Sequence, residues 1–304
     1  MDRLSAMQQF VRVAELGSFS AVAQQLGVAR SIVTRQIALL EAHLGTQLIA
    51  RSTRRLALTS AGADYLEKCR VILNLVDAAE SGVAAERQAP RGQIRMSVPL
   101  SYGRRYLSPC VFEFAQRYPE VGLDIDYVDR RSQLIAEGID LAIRITRHLE
   151  PGDIMRRISS SEAMVVASPE YLARHGEPRH PDELIHHECL AYTATAHPTT
   201  WEFLIDGRPQ GFAIRPRLQA NNGEALVDAA AAGFGLCIAP EFIAADALAA
   251  GRVRRTLHDF ALAQLGIYMV LPGNRHVPHR VRVLMDFIAQ RLGPEPPWRP
   301  ALAT

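Results

Sequence analysis

The sequence predicts an α/β protein in which a small, mainly helical domain precedes a larger body. Three observations lead to this fold class. The first 60 residues are basic and carry apolar side chains at helical spacing, and a heptad-like repeat follows them. From Arg91 onward, short apolar runs alternate with amphipathic helical ones. The length of 304 residues, 48% of them hydrophobic, suits two or three domains.

The net charge of +2 is unevenly distributed along the chain. Residues 1–60 contain seven arginines and three carboxylates, a net charge of +4, which leaves −2 for the remainder. A compact basic domain is expected where a protein binds nucleic acid. Charge alone does not establish this function, because an ordinary solvated surface can carry the same excess.

Two helices are predicted at the start of the basic domain. The first has apolar residues at helical spacing, and Gly17 ends it; these residues are Leu4, Met7, Phe10, Val11 and Ala14. Either Ser18 or Ser20 can cap the second, short helix from Ala21 to Leu26. Gly27 then provides the turn into a third helix.

The third helix has one apolar and one small, polar and cationic face. Its predicted buried stripe follows the spacing i, i+4, i+7 and i+11 and consists of Val33, Ile37, Leu40 and Leu44. The opposite face carries Ser31, Thr34, Arg35 and Ala38. This arrangement is a helix-turn-helix whose third helix suits a DNA major groove about 12 Å wide.

A β-hairpin wing is predicted directly after this helix. The segment "GTQLIARSTRRLALTSAG", residues 45–62, begins with a glycine turn and contains two short alternating runs. Arg51, Arg54 and Arg55 lie near its tip. We expect these arginines to contact backbone phosphates.

The segment from Gly17 to Gly62 resembles the winged helix-turn-helix of the LysR-type transcriptional regulators, and the likeness extends over the whole chain. This sequence departs from many relatives by having Ala29 and Arg30 where they have Ser and Gln. Ala29 cannot accept a hydrogen bond from the free N–H groups of the helix. The cap must therefore come from Ser31, from water or from a DNA phosphate.

Arg30 has three possible roles at the entry to the third helix: a solvated surface charge, a phosphate clamp or a reader of bases. The resemblance implies that it lies at the groove-facing tip, where Gln suits adenine and Arg suits guanine O6 and N7. The residues predicted to contact DNA are Ser20, Arg30, Ser31, Thr34, Arg35, Arg51, Thr53, Arg54 and Arg55.

A connecting helix with a heptad seam follows the basic domain. Its apolar positions repeat with spacings 4, 3, 4, 3 and 4 and are Tyr65, Cys69, Ile72, Val76, Ala79 and Val83. This stripe can pair two subunits or pack on its own chain. In LysR-type proteins the corresponding linker helix pairs between subunits, which implies a homodimer or homotetramer on double-stranded DNA with an interrupted palindrome.

The body has the strand and helix alternation of a doubly wound parallel sheet. The predicted order is a strand at 92–100, a helix at 104–119, a strand at 121–129, a helix at 132–137 and a strand at 138–145. A second unit runs from residue 162 to about 262, and 265–292 return to the first. The arrangement resembles the two-lobed effector domain of LysR regulators, which is similar to periplasmic binding proteins of type 2.

These predictions together give the domain organisation. A winged helix-turn-helix occupies 1–60 and a dimerisation helix 61–88. An effector-binding domain spans 91–304, with lobe I at about 91–163 and 265–292 and lobe II at about 164–264.

A ligand site is expected beyond the carboxyl ends of the strands, often against helix N-termini. The candidates are Ser101, Tyr102, Arg144, Thr146, Thr195 and Asn222. Arg144 can hold a carboxylate of a small anionic effector with two hydrogen bonds. Each candidate also has a simpler role: Ser101 and Asn222 as helix caps, Arg144 in an ion pair with Asp140 or Glu162, and Thr195 in a surface loop.

Other classes of protein are less consistent with the sequence. No GxSxG, P-loop or HExxH motif is present, so no enzyme, cofactor or metal site is predicted. The N-terminus does not resemble a secretory leader, and the longest apolar run is too short to span a membrane. We therefore expect a cytoplasmic regulator, which would also contact RNA polymerase if it is an activator.

Two alternatives remain: an effector-independent repressor with a vestigial ligand domain, and a redox sensor acting through one of four cysteines.

Overall fold

The computed structural model describes residues 2–50, 56–84, 89–147, 154–273, 277–293 and 298. The predictions for Arg51, Thr53, Arg54 and Arg55 lie outside these residues, as do those for the side chains of Ala79 and Val83. The chain divides into an N-terminal unit and a larger body. Among the helices of the described ranges, none is both long and apolar enough to cross a membrane.

The N-terminal unit begins with three short helices, α1 (Arg3–Leu16), α2 (Phe19–Leu26) and α3 (Arg30–Leu44). Each ends at a glycine in the left-handed conformation, with φ of 60° at Gly17, 65° at Gly27 and 66° at Gly45. Of the two predicted caps for α2, Ser18 is the one used, since its side chain accepts from the N–H of Ala21 at 3.2 Å. The helix-turn-helix prediction is confirmed.

The predicted stripe of α3 is buried over its first three positions. Val33 and Leu40 are completely buried, and Ile37 is 2% exposed. Leu44 was predicted to belong to the stripe, but it is exposed, because α3 ends there and the chain turns away at Gly45. The stripe packs in a core with Phe10 of α1.

A two-stranded hairpin follows α3, as predicted. Strands β1 (Ile49–Ala50) and β2 (Ala57–Leu58) pair antiparallel. The Glu41 carboxylate of α3 accepts hydrogen bonds from the backbone N–H groups of Leu48 at 2.8 Å and Ile49 at 3.0 Å. These two bonds fix the start of the wing to the third helix.

Helix α4 (Ser60–Ala84) is held tightly against the wing. The Thr59 hydroxyl accepts from the N–H of Gly62 at 2.9 Å and donates to the carbonyl of Gln47 at 2.7 Å. A Cβ atom on Gly62 would lie 2.0 Å from the Leu48 carbonyl oxygen. Only glycine therefore permits this close approach of helix and wing.

The seam predicted on α4 needs a correction at Cys69. Cys69 is completely buried in the core of its own N-terminal unit. The ring of Tyr65 lies 5.8 Å from the ring of Phe10 and packs on the same core. The Cys69 side chain therefore does not face a partner, because α4 covers the three-helix core with this part of its surface, whereas Tyr65 is only half-buried.

The body contains a first sheet of five strands. They are β3 (Gly92–Val98), β4 (Val121–Tyr127), β5 (Leu141–Thr146), β6 (Ile154–Ser161) and β15 (Leu265–Leu271), in the order β4-β3-β5-β15-β6. Strand β3 runs parallel to its neighbours β4 and β5, but β15 is antiparallel to β5 and β6. The sheet is thus mixed and not parallel throughout, because the chain returns to it from the second sheet.

Helices flank this sheet, and we call the sheet with these helices lobe I. They are α5 (Leu100–Tyr102), a π-helical turn (Gly103–Leu107), α6 (Ser108–Arg117) and α10 (His279–Arg291). The helix predicted at 132–137 is wrong: 132 and 133 have no regular structure, and 134–138 form a turn. Gly138 has φ of 60° and the N–H of Ile139 bonds to the carbonyl of Leu134 at 2.8 Å, so the chain turns before a helix can form.

A second mixed sheet and a small antiparallel sheet form lobe II. The second sheet has the order β11-β8-β12-β7-β13 and consists of β7 (Ala163–Ala167), β8 (Glu188–Tyr192), β11 (Arg215–Ala220), β12 (Leu236–Pro240) and β13 (Arg254–Thr256). The small sheet joins β9 (Thr200–Ile205), β10 (Arg208–Ala213) and β14 (Ala261–Leu262). The helices of lobe II are α7 (Pro169–His175), α8 (Gly223–Ala231) and α9 (Glu241–Ala249), with a 3₁₀ turn at Pro181–His186.

Lobe II buries one histidine, His187, which is 8% exposed. Its Nδ1 lies 3.2 Å from the Tyr171 hydroxyl, which accepts from the N–H of Glu188 at 2.9 Å. The hydroxyl still has its proton available, and it can donate this proton to Nδ1 of a neutral imidazole. Burial lowers the pKa of His187 from 6.5, opposed by Glu183 and reinforced by the charges of His175 and His186.

The lowered pKa predicts that lobe II loses stability in mild acid. Above pH 6.5 His187 is neutral in both the folded and the unfolded chain. As the pH falls below this value, the unfolded chain takes up a proton that the folded chain resists, so the free energy of unfolding decreases by at most about 1.4 kcal/mol per pH unit. Urea unfolding across this range, followed by tryptophan fluorescence, measures the slope.

Two variants separate this effect from a loss of packing. His187→Gln removes the titrating group and should flatten the dependence of unfolding free energy on pH. Tyr171→Phe removes the hydroxyl partner but keeps the imidazole, so the dependence on pH should remain. An unchanged slope in His187→Gln would contradict the assignment.

Candidate functional site

The outward surface of α3 carries the predicted polar and cationic side chains, together with two exposed apolar ones, Ile32 and Leu39. Arg30, Ser31, Thr34 and Arg35 are all exposed. Ala29 is the N-cap residue, and it provides no side-chain hydrogen bond to the first turn. The Thr34 hydroxyl donates to the Arg30 carbonyl at 3.0 Å, which leaves its oxygen able to accept from a ligand.

Two arginines on this surface are available for an external partner. Among the residues that the structure describes, no hydrogen bond or ion pair engages the guanidinium of Arg30 or Arg35. Arg30 stands at the helix N-terminus, where free N–H groups and the helix dipole already favour an anion. Ser20 is exposed in the first turn of α2. The geometry suits a nucleic acid, which presents phosphates and base edges together.

Helix α4 carries a second apolar stripe that its own chain leaves uncovered. Ile72 is 37% exposed and Leu75 is 38% exposed, while Val76 is half-buried beside them. At about 100° per residue, this stripe is rotated by roughly a quarter of a turn from the one that contains Cys69. The two stripes explain why one heptad pattern did not describe the helix.

A cleft of about 240 Å³ lies at the carboxyl ends of the parallel strands of lobe I. Pro99, Val128 and Thr146 line it where β3, β4 and β5 end, and Ala194 approaches from lobe II. Ligands in α/β folds bind in this position, because neighbouring parallel strands bring their following loops together.

Arg144 is held in the wall of this cleft. Its Nη2 donates to the carbonyl of Ser132 at 3.2 Å. The Ser132 hydroxyl lies 2.7 Å from that of Ser97, and both serines are buried. Strand β15 pairs Tyr268 with Arg144, and both side chains line the cleft. The guanidinium is therefore positioned before any ligand arrives.

The cleft is cationic. It is lined by Arg130, Arg131 and Arg144 against one carboxylate, Asp129. That carboxylate already accepts a hydrogen bond from the N–H of Leu100 at 3.0 Å. Arg130 Nη2 lies 3.9 Å from Oδ2 of the half-buried Asp126, which is not part of the lining. The residues that line the cleft therefore carry a net formal charge of +2. This charge favours an anionic ligand.

Two of the predicted effector residues, Arg144 and Thr146, line the cleft, and the other four lie elsewhere. Asn222 caps α8, since its side chain accepts from the N–H of Ala225 at 2.9 Å. Ser101 is buried in the first turn after β3, and Tyr102 is buried among aromatic rings. Thr195 is exposed next to Ala194.

Sequence reasoning missed the segment from Asp129 to Ser132. It directly follows β4, whose strand was predicted, and all four of its residues line the cleft. The rule that ligands bind beyond strand ends would have found it, because β4 is parallel to β3. Ser97 and Tyr268 gave no comparable signal, since both lie within strands.

All four cysteines are buried. Burial raises the pKa of the Cys69 and Cys110 thiols to about 11 and that of Cys189 and Cys237 to about 12. Reactive thiols are exposed and have a lowered pKa. These environments do not favour the redox-sensor alternative.

An exposed cationic recognition helix, a long connecting helix and a two-lobed body with a polar cleft define a DNA-binding regulator with a ligand-binding domain. Residues 4–63 match the family model of the bacterial regulatory helix-turn-helix protein, lysR family. Residues 87–293 match the LysR substrate binding domain. The chain belongs to the LysR-type transcriptional regulators, which bind DNA and form oligomers.

Individual proteins agree with this assignment over nearly the whole chain. An HTH-type transcriptional regulator of Xanthomonas campestris pv. campestris is 37% identical over 287 residues, which cover 93% of this chain and 83% of the relative. The solved structure of CrgA, a LysR-type regulator from Neisseria meningitidis, has 32% identity and a TM-score of 0.60, covering 95% and 98% of the two chains. The Vibrio cholerae virulence activator AphB has 26% identity and a TM-score of 0.58, covering 94% and 98%.

The buried thiols predict that this protein does not respond to mild oxidants. A water-soluble thiol reagent should modify none of the four cysteines of the folded chain at neutral pH, and all four after unfolding in urea. Mass spectrometry of the intact chain counts the modified thiols. Rapid modification of one thiol in the folded protein, with altered DNA binding, would restore the redox interpretation.

Proposed function

We propose that this regulator binds a small anionic effector in the lobe I cleft and that the effector changes its binding to DNA. The observation that carries the proposal is the cleft lining, with three arginines against one carboxylate that is already hydrogen-bonded. Arg144 is the central residue, because the carbonyl of Ser132 holds it at the cleft wall.

The chemistry of the cleft favours a carboxylate or phosphate group on the effector. A guanidinium donates two parallel hydrogen bonds to either group, and Thr146 adds a hydroxyl. The volume of about 240 Å³ suits a small metabolite. Ser132 holds the arginine through its carbonyl, and its hydroxyl group bonds to that of Ser97 in the cleft lining.

Effector binding would act on DNA by shifting a population of conformations. A ligand shifts an equilibrium only by the difference in its affinity for the two states. The cleft includes Ala194 of lobe II, so a ligand held by lobe I also contacts the second lobe. We infer that the ligand changes the relative placement of the lobes and, through the oligomer, the spacing of the two DNA-binding domains.

The uncovered stripe of α4 is the proposed dimer contact. Ile72, Leu75 and Val76 form it in the described part of the helix, and Ala79 and Val83 extend it by their spacing. Two recognition helices related by a two-fold axis would bind an interrupted palindrome in double-stranded DNA. The homodimer or homotetramer would act on DNA in the cytoplasm, and it would contact RNA polymerase if it activates transcription.

Arg30 is the proposed reader of a guanine in each half-site. It is exposed at the first turn of α3, and its side chain can extend forward from the helix N-terminus into a groove. Bidentate contact with guanine O6 and N7 discriminates against other bases by roughly 1–3 kcal/mol.

The proposed effector site predicts a specific effect of Arg144→Gln. A panel of small carboxylates and phosphate esters is first screened by thermal shift on the full chain. A compound that stabilises the protein should bind the Arg144→Gln variant roughly 10- to 100-fold more weakly, because a charge-assisted pair of hydrogen bonds is lost. Isothermal titration calorimetry measures both dissociation constants.

Arg104→Gln is the matched control. Arg104 is exposed in the π-helical turn and does not line the cleft, so its loss should leave affinity unchanged. If no anion stabilises the wild-type chain, the vestigial-domain alternative gains support. If a compound binds equally well to Arg144→Gln, the site lies elsewhere.

The base-reading role predicts a guanine preference that Arg30→Gln shifts or relaxes. Selection of bound DNA from a random pool gives the preferred half-site of each variant. Arg30→Ala should weaken binding to the preferred site and lose discrimination at one base pair in each half-site.

The phosphate-clamp alternative has a different signature. In that case Arg30→Ala would weaken all sequences equally and reduce the slope of log affinity against log salt by about one. Selection that yields no sequence with two-fold symmetry would contradict the dimer arrangement itself.

A further inference from the structure

Trp298 lies beyond the end of α10, yet it is among the most deeply buried side chains, at 2% exposed. Its ring centroid is 5.1 Å from that of Tyr106, 5.7 Å from that of Phe242 and 6.2 Å from that of Tyr102. The contacts with both tyrosines are edge-to-face, which is a favourable arrangement of aromatic rings. The ring is therefore seated in an aromatic pocket.

This pocket is shared between the two lobes. Tyr102 ends α5 and Tyr106 lies in the π-helical turn, both in lobe I, whereas Phe242 lies on α9 in lobe II. The Tyr102 and Phe242 rings meet edge-to-face with centroids 5.7 Å apart. A side chain that packs on all three rings contacts both lobes at once.

The indole N–H has a defined partner. It donates to Oε2 of Glu241 at 3.3 Å, and Glu241 is 7% exposed. The same oxygen accepts from the backbone N–H of Glu162 at 3.2 Å. Buried indole N–H groups and buried carboxylates both need such partners. Trp298 is thus bound by a specific polar contact in addition to its ring contacts.

Two further contacts tie the lobes at the same place. Arg105 of the π-helical turn forms an ion pair with Asp246 of α9. The Tyr106 hydroxyl donates to the Phe242 carbonyl at 3.1 Å. The π-helical turn and α9 are therefore joined by polar bonds, and the tryptophan ring covers the apolar part of the junction.

We propose that Trp298 is an intramolecular latch that holds lobe I and lobe II in one relative placement. Withdrawal of the ring removes the apolar contact that spans the lobes and leaves the Glu241 carboxylate without its indole donor. Movement of the lobes at this junction is then coupled to withdrawal of the Trp298 ring from between them. The inference needs no knowledge of the effector, because the contacts belong to this chain alone.

The test uses the chain's two tryptophans, Trp201 and Trp298. Trp201 is buried in the core of lobe II, so Trp201→Phe leaves Trp298 as the only indole of the full-length protein. Acrylamide quenching of the remaining fluorescence then measures how accessible Trp298 is. We expect blue-shifted emission and quenching that is severalfold weaker than in the urea-unfolded chain.

A second substitution in this background tests the coupling to the lobe junction. Arg105→Ala or Asp246→Asn breaks the ion pair between the lobes and should increase the quenching of Trp298. The control is Arg254→Ala, which breaks a pair with Glu177 inside lobe II and should leave quenching unchanged. Circular dichroism verifies that each variant is folded.

Three results would overturn the latch. The first is strong quenching of Trp298 in the parent Trp201→Phe chain, which would mean that the ring is not seated. The second is an equal response to Arg105→Ala and Arg254→Ala, which would indicate general loosening. The third is unchanged quenching after both junction variants, which would mean that the ring is buried independently of the lobe contact.

Discussion

Helix α4 has to bury two apolar stripes, and only one of them is covered within its own chain. The stripe with Cys69 completes the core of three short helices that is too small to exclude water by itself. The stripe with Ile72 and Leu75 stays exposed on the neighbouring surface. One helix therefore stabilises the DNA-binding domain and carries the proposed dimer contact, and in that dimer the position of the recognition helix would be tied to the geometry of the oligomer.

The body depends on a different constraint, the direction of its strands. Because β3, β4 and β5 are parallel, their following loops converge on one edge and bring Pro99, Val128 and Thr146 into one cleft. Arg144 lies on a strand and not in a loop, and it donates to the carbonyl of Ser132, whose hydroxyl is bonded to that of the buried Ser97. A charge mounted on a rigid strand is oriented in advance, which lowers the entropy lost on binding.

The helical spacing of apolar residues was sufficient to predict the helix-turn-helix, since Val33, Ile37 and Leu40 are buried as that spacing requires. The spacing of apolar residues did not describe α4 fully. The pattern in one sequence does not show which of two adjacent apolar stripes packs on the helix's own chain. The predicted helix at 132–137 failed because Gly138 and the backbone bond between Ile139 and Leu134 favour a turn. Arg144 and Thr146 were predicted correctly as cleft residues from their position at a strand end. Tyr102 was predicted there too, but it packs instead on Phe242 of lobe II and on Trp298. Both partners lie far along the sequence, so the local pattern could not reveal them.

The alanine at the start of α3 has a consequence for energetics. A serine at this position would satisfy one backbone N–H within the free protein and stabilise the helix by about 1 kcal/mol. Ala29 offers no side-chain acceptor, and the first turn of α3 contains a backbone bond from the N–H of Ile32 to the Ala29 carbonyl at 2.9 Å. In the proposed complex, a DNA phosphate oxygen at this end of α3 would accept from the remaining N–H groups, so DNA binding would add the cap that the side chain of residue 29 does not provide.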